Sequence, residues 1–242
     1  MIDRGHGPTL VVIPGLPGWW RFVAPAVHAL SARFRVLSRS LGPDCTLDAD
    51  ARQVVEMLDD RKIDRAIICG VSMGGLVALR FAASYPGRTA ALVLVSTPGP
   101  GATLRPRHRF YTRRPWLCGP LLMLETPFLV WRDLRWSHVK MLFGRPLSFT
   151  KMAKRALLIE STDIAADCAR VTSPTLVVTG DPALDHIVPV DSTLRFLQAI
   201  PGAQHAALAG TGHLGAITQA NTFADVVSAF ATRSAEGRQG AA

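Results

Sequence analysis

The sequence predicts an α/β fold, a mostly parallel sheet of about six strands flanked by helices. Short apolar runs of strand length alternate along the chain with longer stretches of helical character, as in strands joined by crossover helices. One such pair meets at a glycine-rich turn, where Ala66-Ile67-Ile68-Cys69 leads through Gly70 to Gly75 into Leu76-Val77-Ala78-Leu79. The 242 residues are 48% hydrophobic, enough to bury one sizeable core.

The apolar runs place strands at 9–13, 34–38, 66–69, 91–95, 175–179 and about 206–208, with helices at 22–32, 47–61, 73–84, 191–199 and 214–232. Asp48 and Asp50 put acids at the positive end of the second helix. The rhythm fails between Thr97 and Val171, which hold five prolines from Pro98 to Pro120 and three of the five tryptophans, Trp116, Trp131 and Trp136. This stretch reads as an insertion of short helices over the C-terminal edge of the sheet, where open α/β folds bind ligands. Residues 1–98 and 171–233 then form the core and 99–170 a cap. The small, polar residues 234–242 are expected to fray.

Composition narrows the function classes. The longest apolar stretch, Trp116 to Trp131, is broken by Gly119-Pro120, Glu125 and Pro127, so no membrane span is expected. The N-terminal residues lack the basic, apolar, small-residue order of a signal peptide, which points to the cytoplasm. Cys45, Cys69, Cys118 and Cys168 have no metal-ligand spacing and read as free thiols. The net charge of +9 is concentrated: Pro100 to Arg170 carry thirteen Lys/Arg against five Asp/Glu, or +8, and the rest fourteen against thirteen, or +1. No nucleic-acid motif accompanies that charge, so a nucleic-acid partner is not expected.

The sharpest motif is Gly70-Val71-Ser72-Met73-Gly74. A serine on a sharp strand-to-helix turn has its hydroxyl in the open, at the helix end that favours developing negative charge. Glycines two residues before and after it remove Cβ atoms that would press on the neighbouring strand or helix.

With three further segments the chain resembles an α/β-hydrolase with a helical cap. Gly7 to Gly18 is similar to the family's first core strand and oxyanion loop. Leu176 to Pro189, containing Thr179-Gly180-Asp181 and Val188-Pro189, is similar to the segment that carries the acid. Leu208 to Leu214, containing Gly212-His213, is similar to the segment that carries the base. The resemblance implies Ser72 as nucleophile, His213 as general base and Asp185 as the orienting acid, four residues before Pro189. Asp181 is the competing acid, otherwise a loop-structuring carboxylate. It implies the backbone N–H groups of Leu16 and Met73 as oxyanion donors, and no metal or organic cofactor. Two features depart from the family. Only eight residues precede the first predicted strand, so either the usual N-terminal antiparallel pair is trimmed or the true start lies upstream. Pro14 stands where a histidine is common.

The implied activity is cleavage of a small-molecule carboxylic ester through an acyl-enzyme. The same residues serve C–C bond hydrolysis, enol-lactone opening, haloperoxidase chemistry or acyl transfer, and a ligand-binding signalling role is the rival outside catalysis. In the cap, Trp116, Leu117, Leu121 to Leu124 and Phe128 to Trp131 suit an acyl pocket or simple packing on the core. Arg105, Arg107, Arg109, Arg113 and Arg114 suit an anionic substrate, a peripheral membrane contact or a solvated face.

Overall fold

The computed structural model describes residues 1–104, 106–114, 116 and 148–239. Seven strands form one sheet: β1 (Ile2–Arg4), β2 (Thr9–Ile13), β3 (Arg35–Ser38), β4 (Ala66–Val71), β5 (Thr89–Val95), β6 (Thr175–Thr179) and β7 (Gln204–Ala207), in the order β1-β3-β2-β4-β5-β6-β7. All neighbours pair in parallel except β1, which runs antiparallel to β3.

That edge strand corrects the expected count of six, because one member of the N-terminal pair is present. Three residues leave no periodicity to read. Partners distant in sequence hold β1 in place: β3 along its backbone, and Arg35 and Arg61, both bonded to the Asp3 carboxylate.

Every residue of β4 is buried, as expected of a strand covered on both faces. Successive side chains alternate between two apolar layers. Ile68, Leu92 and Leu94 face α2 (Leu47–Asp59) and α3 (Met73–Ser84), while Cys69, Val93 and Val95 share a layer with α1 (Ala24–Leu30) and α10 (Ala220–Gln239). Thr46 caps α2 by accepting from the Ala49 N–H, and Asp48 and Asp50 lie in its first turn.

Beyond β5 come α4 (Pro106–Thr112), α5 (Phe149–Ser161) and α6 (Ala165–Arg170). The first two are tied together, because Glu160 accepts from the Leu104 N–H at 2.8 Å and pairs with Arg109. Trp116 is exposed, whereas Arg105 and the remaining apolar residues assigned to the expected cap, Leu117, Leu121 to Leu124 and Phe128 to Trp131, lie outside the described residues. The helix predicted over 191–199 is broken at Arg195 into α7 (Val190–Leu194) and α8 (Phe196–Ala199). That over 214–232 is divided between α9 (Gly215–Thr218) and α10. No described helix is long and apolar enough to cross a membrane.

Candidate active site

The five residues singled out by sequence all come from segments beyond the C-terminal ends of parallel strands. Ser72 links β4 to α3, of which Met73 is the first residue. Leu16 follows β2, Asp185 follows β6, and His213 lies between β7 and α9.

Ser72 holds φ +55° and ψ −126°, outside the regions that non-glycine residues prefer. Such a conformation costs on the order of 1–3 kcal/mol. It is held by the Ser72 N–H donating to the Val95 carbonyl at 2.7 Å and by the Gly75 N–H donating to the Ser72 carbonyl at 2.9 Å. Packing of α3 supplies the rest. Leu76 and Leu79 are fully buried, and each contributes about 1.5–3 kcal/mol. Serine is a favoured helix N-cap, yet the Ser72 side chain makes no capping bond.

Its hydroxyl turns to a histidine instead. Ser72 Oγ lies 3.0 Å from His213 Nε2, and His213 Nδ1 lies 3.1 Å from Asp185 Oδ2. In the neutral tautomer with its proton on Nδ1, the ring donates to the carboxylate and accepts from the hydroxyl. Asp185 is 4% exposed and His213 9%. The other carboxylate oxygen, Oδ1, accepts from the N–H groups of Ile187 and Val188 at 3.1 and 2.9 Å, so the buried acid has both oxygens satisfied.

Asp181, the competing acid, bonds elsewhere. Its Oδ2 accepts from the Gly210 N–H at 2.7 Å, and its own N–H donates to the Thr211 carbonyl at 2.7 Å. It thereby ties the loop that carries Asp185 to the loop that carries His213.

The turn after β2 comes close to the hydroxyl. A Cβ on Gly15 would lie 3.2 Å from Ser72 Cβ and 3.8 Å from its Oγ. On the opposite side, a Cβ on Gly74 would stand 2.5 Å from the carbonyl oxygens of Ile13 and Pro14. Glycine there lets the start of α3 press against the end of β2. Among the described residues, neither the Leu16 nor the Met73 N–H donates to another protein group. For Met73 this is the normal state of a first-turn helix donor. A hydroxyl paired to an imidazole, with one free donor on the next residue and another in the turn that carries Gly15, is a suitable setting for attack on a carbonyl carbon.

Two residues near this edge escaped the sequence reading. Asp50 and Arg155 are 1% and 2% exposed; Arg155 bonds to the loops that follow β2 and β3, and Asp50 to the loop that follows β3. No local signal marks them. Asp50 reads as one acid of a helix start, and Arg155 as one charge of a basic segment.

The alpha/beta hydrolase family model matches residues 10–226, and the chain belongs to that family. A pimeloyl-[acyl-carrier protein] methyl ester esterase of Nitrosomonas europaea is 29% identical over 242 aligned residues, covering 86% of this chain and 90% of the relative. A 2-hydroxy-6-oxo-6-phenylhexa-2,4-dienoate hydrolase of Burkholderia cepacia is 26% identical, covering 91% and 86%. The crystal structure of the enol-lactonase from Burkholderia xenovorans superposes with a TM-score of 0.76 at 24% identity, over 96% of this chain and 95% of the other.

Proposed function

We propose that the protein is a serine hydrolase that cleaves carboxylic esters through an acyl-enzyme. The observation that carries this reading is the unbroken chain from Ser72 Oγ to His213 at 3.0 Å and from His213 to Asp185 at 3.1 Å. Ser72 Oγ attacks the ester carbonyl carbon while His213 Nε2 takes its proton. The Leu16 and Met73 N–H groups donate to the resulting oxyanion, an interaction worth on the order of 3 kcal/mol per donor. Asp185 keeps the imidazole in its working tautomer and stabilises the imidazolium. Collapse of the adduct expels the alcohol, which leaves with the proton from His213. Water then attacks the acyl carbon with His213 again as base, releasing the acid and restoring Ser72.

The substrate is a small ester. The excess of +8 between Pro100 and Arg170 favours an acyl or alcohol part that carries negative charge. The similarity to a methyl ester esterase supports ester cleavage in particular. A second reading is carbon–carbon bond hydrolysis on the same residues, favoured by the similarity to the dienoate hydrolase.

Hydrolysis of p-nitrophenyl esters from acetate to palmitate, with Ser72→Ala alongside, tests the first reading, and a 6-oxo-hexadienoate in the same assay tests the second. Serine-dependent release of p-nitrophenol is the expected result. Turnover of the dienoate alone selects the second reading, and folded protein inert to both points to a binding role.

A further inference from the structure

Arg155 lies on α5, where the chain returns to the core, and is shut off from solvent. Its Nη2 donates to the Gly42 carbonyl at 2.9 Å and its Nη1 to the Pro17 carbonyl at 3.4 Å. The guanidinium fills the space into which a Cβ on Gly18 would project, and Gly18 has φ +69°. Asp50 of α2 faces the loop after β3, with Oδ1 accepting from the Gly42 N–H at 3.3 Å. Burial pushes its carboxyl above the usual range, against the opposing pull of Arg155 and of the Gly42 N–H. Asp50 Oδ2 and Arg155 Nε have no hydrogen-bond partner among the described residues.

Stability alone explains these two buried charged side chains poorly. Buried charges cost several kcal/mol each to desolvate, and a well-packed apolar pair is often as stable or more so. Two unpartnered polar atoms make the arrangement costlier still.

What the arginine holds is more telling. The turn from Gly15 to Gly18 is closed by the Gly18 N–H donating to the Gly15 carbonyl at 2.8 Å, and the Leu41 N–H anchors the Gly18 carbonyl at 2.8 Å. Between those points, Arg155 is the one described group bonded to the Pro17 carbonyl. The adjoining residue is Leu16.

We propose that Arg155 is a positioning residue: by holding the Pro17 and Gly42 carbonyls together, it fixes the turn that presents the Leu16 N–H to the developing oxyanion. This rests on the ester-hydrolase reading above. A donor displaced by a fraction of an ångström bonds well to neither substrate nor transition state, and the transition state loses more.

Three variants test the assignment. Arg155→Lys keeps the charge but cannot span both carbonyls. The double variant Arg155→Met/Asp50→Leu removes both buried charges. Arg80→Lys disturbs a separate arginine that bridges Asp48 and Asp167 at 2.6 and 2.7 Å. Each is compared with wild type for kcat and KM on the best p-nitrophenyl ester, for Tm, and for the rate at which a fluorophosphonate labels Ser72. The expected result is a fall in kcat of about 10- to 100-fold in both Arg155 variants, with KM within about threefold and labelling slowed in parallel. The double variant should keep or raise Tm, and Arg80→Lys should lower Tm without changing kcat.

Wild-type kcat and labelling in either folded Arg155 variant would overturn the proposal, as would equal changes in kcat and KM. Should the lysine variant fail to fold, the double variant decides by the same criteria. Where wild type shows no Ser72-dependent ester cleavage, the ester reading fails, and labelling alone judges Arg155: slower labelling upholds it and equal rates overturn it.

Discussion

Two short segments flank the Ser72 hydroxyl, and they are built in opposite ways. The turn between β4 and α3 is largely determined by its own neighbourhood: glycines at 70, 74 and 75, a bond from the Ser72 N–H to the adjacent strand, and a helix that starts at the next residue. The turn after β2 depends on distant anchors, the Leu41 N–H and a guanidinium 138 residues away. The first strains one residue within a rigid junction. The second leaves a donor in a loop whose position is set by elements that meet only in the folded chain. On the proposed ester-hydrolase reading, their difference separates changes that remove chemistry from changes that misplace it.

The largest effect belongs to the first turn. Ser72→Ala or His213→Ala should reduce kcat by about 10⁴- to 10⁶-fold with Tm little changed, read by ester hydrolysis and thermal melting. A folded Ser72→Ala variant with near-wild-type activity would remove this turn from the chemistry altogether.

Next come the two aspartates that follow β6. Asp185→Asn should cost about 10³- to 10⁴-fold in kcat, because an amide favours the wrong imidazole tautomer. Asp181→Asn loses one charge-assisted bond to the Gly210 N–H and should cost about tenfold or less. The reverse order would transfer the acid's role to Asp181.

A smaller pair of effects compares the turns directly. A methyl group at Gly74 meets two backbone carbonyl oxygens at 2.5 Å, which cannot step aside independently. Gly74→Ala should therefore lower stability by about 1–3 kcal/mol. A methyl group at Gly15 meets the Val71 carbonyl at 3.0 Å and Ser72 Cβ at 3.2 Å, a crowding that a slight retreat of the loop relieves. Gly15→Ala should keep its Tm and lose about tenfold in kcat. Equal losses of Tm in both variants would mean that the two turns are equally rigid.

This contrast also explains what could be read from the residues. Continuous apolar runs locate β2 and β6 to the residue, and the glycine turn fixes the start of α3 at Met73. The residues proposed for the site follow small local patterns, Gly70 to Gly75 and Gly212-His213, that report backbone shape. β1 is invisible because three residues carry no period and its partners lie on β3 and at Arg61. Arg155 is invisible for the same reason. Its burial depends on loops at Pro17 and Gly42, so in the sequence it is one basic residue among thirteen between Pro100 and Arg170. The break at Arg195 follows no proline or glycine that would mark it.

The smallest effect concerns a second histidine–hydroxyl pair, which lacks the features that distinguish the first. His205 Nε2 lies 2.9 Å from Thr179 Oγ1, a separation close to that of His213 and Ser72. Thr179 belongs to strand β6, and no carboxylate bond orients the other His205 nitrogen among the described contacts. Burial lowers the His205 pKa from its ordinary 6.5. The unfolded chain therefore takes up this proton at a higher pH than the folded one, and stability is lost as pH falls through about 6.5. His205 lies on an exposed edge strand, so the change in Tm from this group should be no more than about 2 °C. In His205→Gln that part of the acid slope should disappear while kcat stays at the wild-type value. A His205→Gln variant that loses activity as His213→Ala does would show that proximity of imidazole to a hydroxyl, without the strained turn or the buried acid, is enough to matter here.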